Sequence, residues 1–311
     1  MADEKSYDII VIGGGPAGLA AGLYGSRARR RTLLLERGVI GGQIALTDRV
    51  ENYPGFPDGV NGFDLAQAML RQAEGCGMET AYQEVTGLER VDGLWRVKTA
   101  DDEYAARAVI VTSGADYNRL DVPGEERLTG RGVSYCAPGD AAVFQDAEGG
   151  VVGGGDSAMD EGLFTSRYAA KVHVIHRRDQ LRASRILQER AFANPRMTFI
   201  WNTAVKEVLG EDQVTALRLA NVATGEESIL NVAAIFVFIG QHPNTDYVRG
   251  LVSMDEGGHI CVNEWMETDL PGLFAAGDAR QKSARQVVSA AGDGATAAIA
   301  AEHYISNTFL D

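Results

Sequence analysis

The residues best suited to chemistry are two sets of glycines, each followed at a fixed distance by charged side chains. In the first set, Gly13, Gly15 and Gly18 fit the pattern G-x-G-x-x-G, and Glu36 lies 23 residues after Gly13. Glycines at these positions allow a tight turn, the approach of a pyrophosphate and close packing of a helix. A carboxylate at that distance can accept a hydrogen bond from a ribose 2′-hydroxyl. The first set therefore predicts a site for FAD or NAD.

The second set repeats this spacing with the opposite charge. The stretch Gly153–Ala158 fits the same pattern with alanine at its third position, and His176 lies 23 residues after its first glycine. Arg177 and Arg178 come directly after this point, and Arg182 lies one turn further on. Arginines here accommodate a ribose 2′-phosphate, which an acid would repel. The second set therefore predicts a site for NADPH.

Each set of glycines needs a strand before it and a helix after it. Ile9–Ile12 is a short apolar run typical of a buried strand, Leu19–Ala28 is predicted to be helical, and Leu33–Glu36 is predicted to be a second strand. In the repeat, a helix to Tyr168 and a strand at Lys171–Ile175 follow the glycines. The phosphates would lie at the helix N-termini. The predicted fold is α/β, with two doubly wound dinucleotide-binding domains and mainly parallel sheets.

Composition limits the classes of partner. A chain of 311 residues with a formal net charge of −14 favours two domains and argues against nucleic acid or an anionic membrane as a partner. No apolar run is long enough to span a bilayer, and the first residues lack the apolar stretch of a secretory signal. Cys76, Cys136 and Cys261 are too widely spaced to predict a metal site or a disulfide framework. We therefore expect a cytoplasmic protein without a metal.

Further matches lie near the C-terminus, where an apolar strand ends at Gly277 and Asp278 and an alanine-rich helix runs from Ser289 to Tyr304. With these stretches, the chain resembles the low-molecular-weight thioredoxin reductase family over nearly its whole length. The matching stretches are Gly13–Gly18, Gly41–Gln43, Glu51–Phe56, Thr112–Gly114, His176–Arg178, Gly277–Asp278 and Arg285–Val288.

This resemblance implies FAD rather than NAD at the first glycines, NADPH at the second, and a homodimer. It implies an FAD domain of residues 1–115 and 246–311, with an NADPH domain of residues 116–245 inserted in it. The residues expected to bind FAD are Gly13, Gly15, Pro16, Ala17, Gly18, Glu36, Gly42, Gln43, Asn52, Ser113, Gly114, Gly277, Asp278, Arg285, Gln286 and Val287. Those expected to bind NADPH are Gly153, Gly154, Gly155, Asp156, Ser157, His176, Arg177, Arg178 and Arg182.

The sequence departs from the family at its redox motif. The family has Cys-x-x-Cys-Asp, a disulfide that carries electrons from the flavin to thioredoxin, with the Asp as proton donor. Here Cys136 and Asp140 are kept, but Gly139 replaces the second cysteine, and Ala142–Val143 replaces aromatic residues that help to dock thioredoxin. One thiol cannot cycle as an intramolecular disulfide. We therefore expect the reduced flavin to pass electrons directly to an unidentified protein or small molecule other than thioredoxin.

Several alternatives remain open. Cys136 is either redox-active or a small core residue, and Asp140 either donates a proton or shapes a turn. The chain could instead be a disulfide reductase that pairs Cys136 with Cys76, Cys261 or an external thiol. A ferredoxin- or flavodoxin-NADP reductase is another alternative, because the ferredoxin-NADP reductases that resemble this family also lack the cysteine pair. The last alternative is a non-catalytic sensor that binds FAD and NADPH.

Overall fold

The chain forms two compact units in the computed structural model, which describes residues 5–47, 50, 52–135 and 145–309. The first unit comprises Met1–Asp116 and His242–Asp311, and the second comprises Tyr117–Gln241. Each unit has a mainly parallel sheet with helices, so the predicted doubly wound α/β fold class is confirmed.

The helices and strands follow in chain order. The described strands are β1 (Ser6–Ile12), β2 (Thr32–Leu35), β3 (Glu79–Ala81), β4 (Val85–Val91), β5 (Leu94–Thr99), β6 (Glu103–Val111), β7 (Ala115–Tyr117), β8 (Val133–Ser134), β9 (Glu148–Val152), β10 (Lys171–Ile175), β11 (Met197–Ile200), β12 (Thr203–Leu209), β13 (Ala216–Asn221), β14 (Glu227–Asn231), β15 (Ala234–Val237), β16 (Gln241–Pro243) and β17 (Leu273–Ala275). The described helices are α1 (Pro16–Arg27), α2 (Gly62–Glu74), α3 (Glu125–Leu128), α4 (Asp156–Thr165), α5 (Arg185–Ala193) and α6 (Val287–Thr308), with 3-10 turns at Gly42–Leu46, Asp246–Val248 and Gly277–Ala279.

The sheet of the first unit has the order β3-β2-β1-β6-β5-β4, and β17 also pairs with β6. The strands β3, β2, β1, β6 and β17 run parallel, whereas β4 and β5 run antiparallel to their neighbours. Strand β1 is buried on both faces: Ile9 belongs to the same buried cluster as Ala297 of α6, and Ile10 belongs to that of Trp95 in β5. This explains why β1 is a continuous apolar run.

Helix α6 packs closely against α1. It begins two residues before the predicted Ser289, because Gln286 and Ser289 form a reciprocal capping box. A Cβ at Gly294 would overlap the carbonyl oxygen of Ala17, so the two backbones meet at the first turn of α1. Neither α6 nor any other helix in the described part of the chain is long and apolar enough to cross a membrane.

The second unit contains a parallel sheet of order β11-β10-β9-β15-β8. This places the second and third strands of its α/β unit on one side of the first, as in dinucleotide-binding folds. Strands β12, β13 and β14 form a separate antiparallel sheet, and β7 pairs with β16. The antiparallel strands of either unit were not predicted from the sequence.

Candidate nucleotide-binding and redox sites

The first glycine turn connects β1 to α1 and is open on one side only. Gly13 has φ +110°, and a Cβ there would overlap the carbonyl oxygen of Thr112. A Cβ at Gly18 would overlap the carbonyl oxygen of Gly13, whereas one at Gly15 would have no heavy atom within 4 Å. Helix α1 begins with Pro16 and has no side-chain N-cap, so its first amide groups are available to an anion. This turn fits a pyrophosphate.

Glu36 lies immediately after β2, beneath this turn. Its Oε2 accepts a hydrogen bond of 2.6 Å from the amide of Gly14, and its Oε1 accepts one of 2.7 Å from the amide of Gly38. These two bonds fix the carboxylate in place. Each oxygen keeps acceptor capacity, so the group fits the predicted contact with a ribose hydroxyl.

Three further segments bring predicted FAD-binding residues to the first unit. Gly42 lies beside the open position, since a Cβ there would be 3.6 Å from the Cα of Gly15. The Nε2 of Gln43 donates to the carbonyl oxygen of Ala115 at 2.5 Å. The Nδ2 of Asn52 donates to Oε1 of Gln286 at 2.8 Å. Side-chain hydrogen bonds therefore join segments that are far apart in sequence.

The remaining predicted FAD-binding residues lie on short connections. Ser113 follows β6, and its hydroxyl donates to the carbonyl oxygen of Asn244 at 2.6 Å and accepts from Tyr247 at 3.2 Å. Asp278 lies in the 3-10 turn after β17, where its Oδ1 accepts from Ser283 at 2.9 Å. The other members of this group are Gly114, before β7, Gly277, beside Asp278, and Arg285, Gln286 and Val287, at the start of α6.

The second glycine turn resembles the first at the first two glycines of the pattern. Gly153 has φ +145°, and a Cβ there would overlap the carbonyl oxygen of Phe238. A Cβ at Gly155 would again have no heavy atom within 4 Å. Helix α4 starts at the next residue without a side-chain N-cap, and Ala158 is completely buried. This turn also fits a pyrophosphate.

The acid of the second turn makes a contact within the protein. Oδ1 of Asp156 accepts from the amide of Ser184 at 2.5 Å, and the amide of Arg182 donates to the carbonyl oxygen of Gly154 at 2.6 Å. The loop with the predicted arginines is thereby attached to the glycine turn. Ser157, the other predicted residue of this turn, is exposed.

The predicted phosphate-binding residues fall into two environments. Arg177, Arg178 and Arg182 are exposed, whereas His176 is buried with 6% of its surface accessible. The imidazole lies beneath Gly154, where a Cβ would be 2.5 Å from its Cε1. Burial, and then the nearby Arg182, lower the pKa of His176. The lowered pKa favours the neutral imidazole, and the exposed guanidinium groups supply the positive charge.

Cys136, Gly139 and Asp140 lie outside the described residues. Tyr135, the neighbour of Cys136, donates its hydroxyl to Oε1 of Glu125 at 2.7 Å. Glu125 is 3% exposed and also accepts from the amides of Leu120 and Asp121, at 2.8 and 2.7 Å. Burial and the bond to Glu125 raise the pKa of Tyr135. Glu125 was not predicted from the sequence, because nothing in the local pattern marks an acid as buried.

Cys76 and Cys261 are free thiols and partly buried, and both belong to the first unit. Cys76 follows α2, where its amide donates to the carbonyl oxygen of Ala73 at 3.0 Å. The amide of Cys261 donates to the carbonyl oxygen of Ser253 at 2.9 Å. They do not form a disulfide with each other.

Comparison with known proteins identifies the family. The pattern of the pyridine nucleotide-disulphide oxidoreductases matches residues 7–294. A thioredoxin reductase of Listeria innocua is 49% identical over 98% of this chain and 95% of its own length. The chain belongs to the thioredoxin reductase family. A Bacillus subtilis thioredoxin reductase is 48% identical over 98% of this chain and 96% of its own. The solved thioredoxin reductase of Lactococcus lactis is 42% identical, with a TM-score of 0.94 over 97% of this chain and 99% of its own.

Membership in the thioredoxin reductase family confirms one part of the functional prediction and corrects another. The chain is an NADPH-dependent flavoprotein oxidoreductase with FAD and NADPH as cofactors, as predicted. The predicted transfer of electrons to an acceptor other than thioredoxin is wrong, because relatives of almost half identity along the full chain are thioredoxin reductases. Gly139 and Ala142–Val143, the local differences behind that expectation, are outweighed by the similarity of the whole chain.

Proposed function

We propose that this protein uses NADPH to reduce the disulfide of thioredoxin, with FAD held by the first unit and NADPH by the second. The observation that carries the proposal is the match to thioredoxin reductases over 98% of the chain. The two open glycine turns, one followed by an acid and the other by arginines, support the assignment of the cofactors.

In the first unit, the amide groups at the start of α1 would hold the pyrophosphate of FAD, and Glu36 would accept a hydrogen bond from a ribose hydroxyl. Asp278 keeps Oδ2 for the flavin side, because Ser283 donates to its Oδ1. FAD, when bound there, supplies a two-electron acceptor for the hydride of NADPH.

In the second unit, the exposed guanidinium groups of Arg177 and Arg178 pair with the 2′-phosphate, a group that NADH lacks. Asp156 holds the following loop through Ser184, so the arginines are presented from a fixed backbone. Preference for NADPH over NADH is the direct consequence.

We further propose that the chain is an atypical member of the family, with Cys136 as the single thiol of its motif and Asp140 as the proton donor. In the net reaction, NADPH and a proton convert one disulfide to two thiols and yield NADP⁺. Exchange requires an attacking and a resolving sulfur, and the motif contains only the first. The resolving sulfur therefore comes from Cys76, Cys261 or an external thiol.

The experiment measures NADPH oxidation and new thioredoxin thiols in the same reaction. We expect two thiols per NADPH, and we expect Cys136→Ser to abolish thiol formation while flavin reduction by NADPH continues. Asp140→Asn should slow thiol formation, and Cys76→Ser and Cys261→Ser should identify an internal resolving thiol. Gly139→Cys restores the pair and should raise the rate with thioredoxin.

NADPH oxidation without new thiols, in the unmodified chain, would contradict the proposal. If the unmodified chain forms no thiols but the Gly139→Cys variant does, the glycine at position 139 is by itself what prevents reduction of thioredoxin. The homodimer and the cytoplasmic location stay predictions; sedimentation of the holoenzyme measures the first.

A further inference from the structure

Arg280 and Asp293 form a buried ion pair at the start of α6. The Nε of Arg280 donates to Oδ2 of Asp293 at 2.7 Å, and its Nη2 donates to Oδ1 at 2.8 Å. The two side chains are only 17% and 9% exposed. The contact uses both carboxylate oxygens, which is the geometry that fixes orientation most strongly.

The carboxylate of Asp293 also holds the neighbouring turn. Its Oδ2 accepts from the amide of Gly277 at 3.1 Å, and Nη1 of Arg280 donates to the carbonyl oxygen of Gln281 at 3.0 Å. The 3-10 turn Gly277–Ala279 carries Asp278. Asp293 of α6 therefore holds this turn at both ends, through Gly277 at its start and Arg280 directly after it.

This turn meets the first turn of α1 at the same place. A Cβ at Gly277 would be 3.0 Å from the Cβ of Ala17, and one at Gly294 would overlap the carbonyl oxygen of Ala17. Asp293, one residue before Gly294, thus lies where α6, α1 and the turn with Asp278 come together. A shift of this turn would move Asp278 relative to the glycine turn that precedes α1.

We propose that Arg280 and Asp293 are positioning residues for FAD, which fix Asp278 relative to the phosphate-binding turn of the first unit. The inference rests on the proposed FAD assignment. Breaking the pair from one side leaves a buried charge without its partner, which forces the turn to rearrange toward water. FAD affinity should therefore depend on this pair even though neither residue is among those expected to touch the cofactor.

The test compares FAD dissociation constants, measured from flavin fluorescence on apoprotein titrated with FAD. We expect Asp293→Asn and Arg280→Met to raise the constant by about tenfold or more. Arg280→Lys keeps the charge and loses the two-point contact, so it should fold normally and give a smaller increase. The double variant Arg280→Met/Asp293→Asn leaves no buried charge. Its FAD dissociation constant should lie between that of Arg280→Lys and those of the single variants Asp293→Asn and Arg280→Met.

Asp246→Asn is the matched control, because Asp246 pairs with Arg249 at 2.6 Å in the same unit with side chains 86% and 67% exposed. It should leave FAD affinity unchanged. A second readout is the difference in melting temperature between holoprotein and apoprotein. A positioning role makes this difference smaller in the variants, since weaker binding stabilises less. A purely structural role lowers both temperatures equally.

The proposal is overturned if Arg280→Lys and the double variant bind FAD like the unmodified chain, whether or not the single neutral variants fold. Failure of the unmodified chain to bind FAD would instead overturn the proposed function. The two failures are therefore distinguishable.

Discussion

The two glycine turns share a backbone geometry and differ in the charges around it. In both turns, the first glycine of the pattern has a positive φ, and a Cβ there would overlap a carbonyl oxygen. A Cβ at the second glycine of the pattern, Gly15 or Gly155, would have no heavy atom within 4 Å. At the end of the next strand, the first unit has Glu36, hydrogen-bonded to two amides, whereas the second has buried His176 and exposed arginines. The comparison supports the proposal that the turn provides the phosphate site and that the residues after the second strand select the nucleotide.

The largest expected effect comes from the third position of each pattern. Gly18→Ala places a Cβ on the carbonyl oxygen of Gly13 and should prevent recovery of folded, FAD-containing protein. The second unit has Ala158 at this position, so the reverse change Ala158→Gly should cost about 1 kcal/mol of helix stability and the packing of one buried methyl group, and the variant should still fold. Yield of yellow protein and melting temperature measure both. Normal flavin content in Gly18→Ala would contradict this account of the turn.

The arginines give the next largest effect. Arg177→Ala combined with Arg178→Ala should lower kcat/KM for NADPH tenfold or more, because each charged hydrogen bond contributes about 1.5–3 kcal/mol. The value for NADH should change little. FAD content should stay normal, because the first unit is unaltered. An equal loss with NADPH and NADH would show that the arginines do not read the 2′-phosphate.

Some of the features behind these predictions could be predicted from the sequence, and others could not. The glycine patterns, β1 and the distance to Glu36 are local, so the fold class followed from them. The burial of His176 beneath Gly154 and the bond from Ser184 to Asp156 were not predictable, because they depend on how a later loop returns to the turn. Arg280 and Asp293 were missed for the same reason: partners on different elements leave no periodic signal.

Substitution of the open glycines, Gly15 and Gly155, should have a smaller effect, and each change should weaken the binding of one nucleotide only. Gly15→Ala and Gly155→Ala add a methyl group where no protein atom lies within 4 Å, so both variants should fold. The methyl group would occupy space near the phosphates, and we expect about tenfold weaker binding of one nucleotide in each case. Gly15→Ala should affect FAD and Gly155→Ala should affect NADPH, as measured by fluorescence titrations. Weaker binding of both nucleotides in either variant would contradict separate sites.

The smallest effect concerns pH. Because the pKa of His176 is lowered in the folded state, the unfolded chain binds more protons between that value and about 6.5. The contribution of His176 to the free energy of unfolding is therefore fully present above about pH 6.5 and is lost as the pH falls toward the pKa of the folded state. His176→Gln should remove less than about 1.4 kcal/mol per pH unit of this dependence. Urea unfolding curves of the variant and the unmodified chain, recorded between pH 7 and pH 5, measure the free energy of unfolding at each pH. The same pH dependence of this free energy in both proteins would contradict a buried neutral imidazole.

The most direct test of the whole account is the rate of thioredoxin reduction by the unmodified holoenzyme with NADPH and with NADH. The account predicts two new thioredoxin thiols per NADPH and a kcat/KM for NADPH that is tenfold or more above that for NADH, because only NADPH carries the phosphate that Arg177 and Arg178 bind. Equal efficiencies with the two nucleotides would contradict the difference between the units on which the account depends.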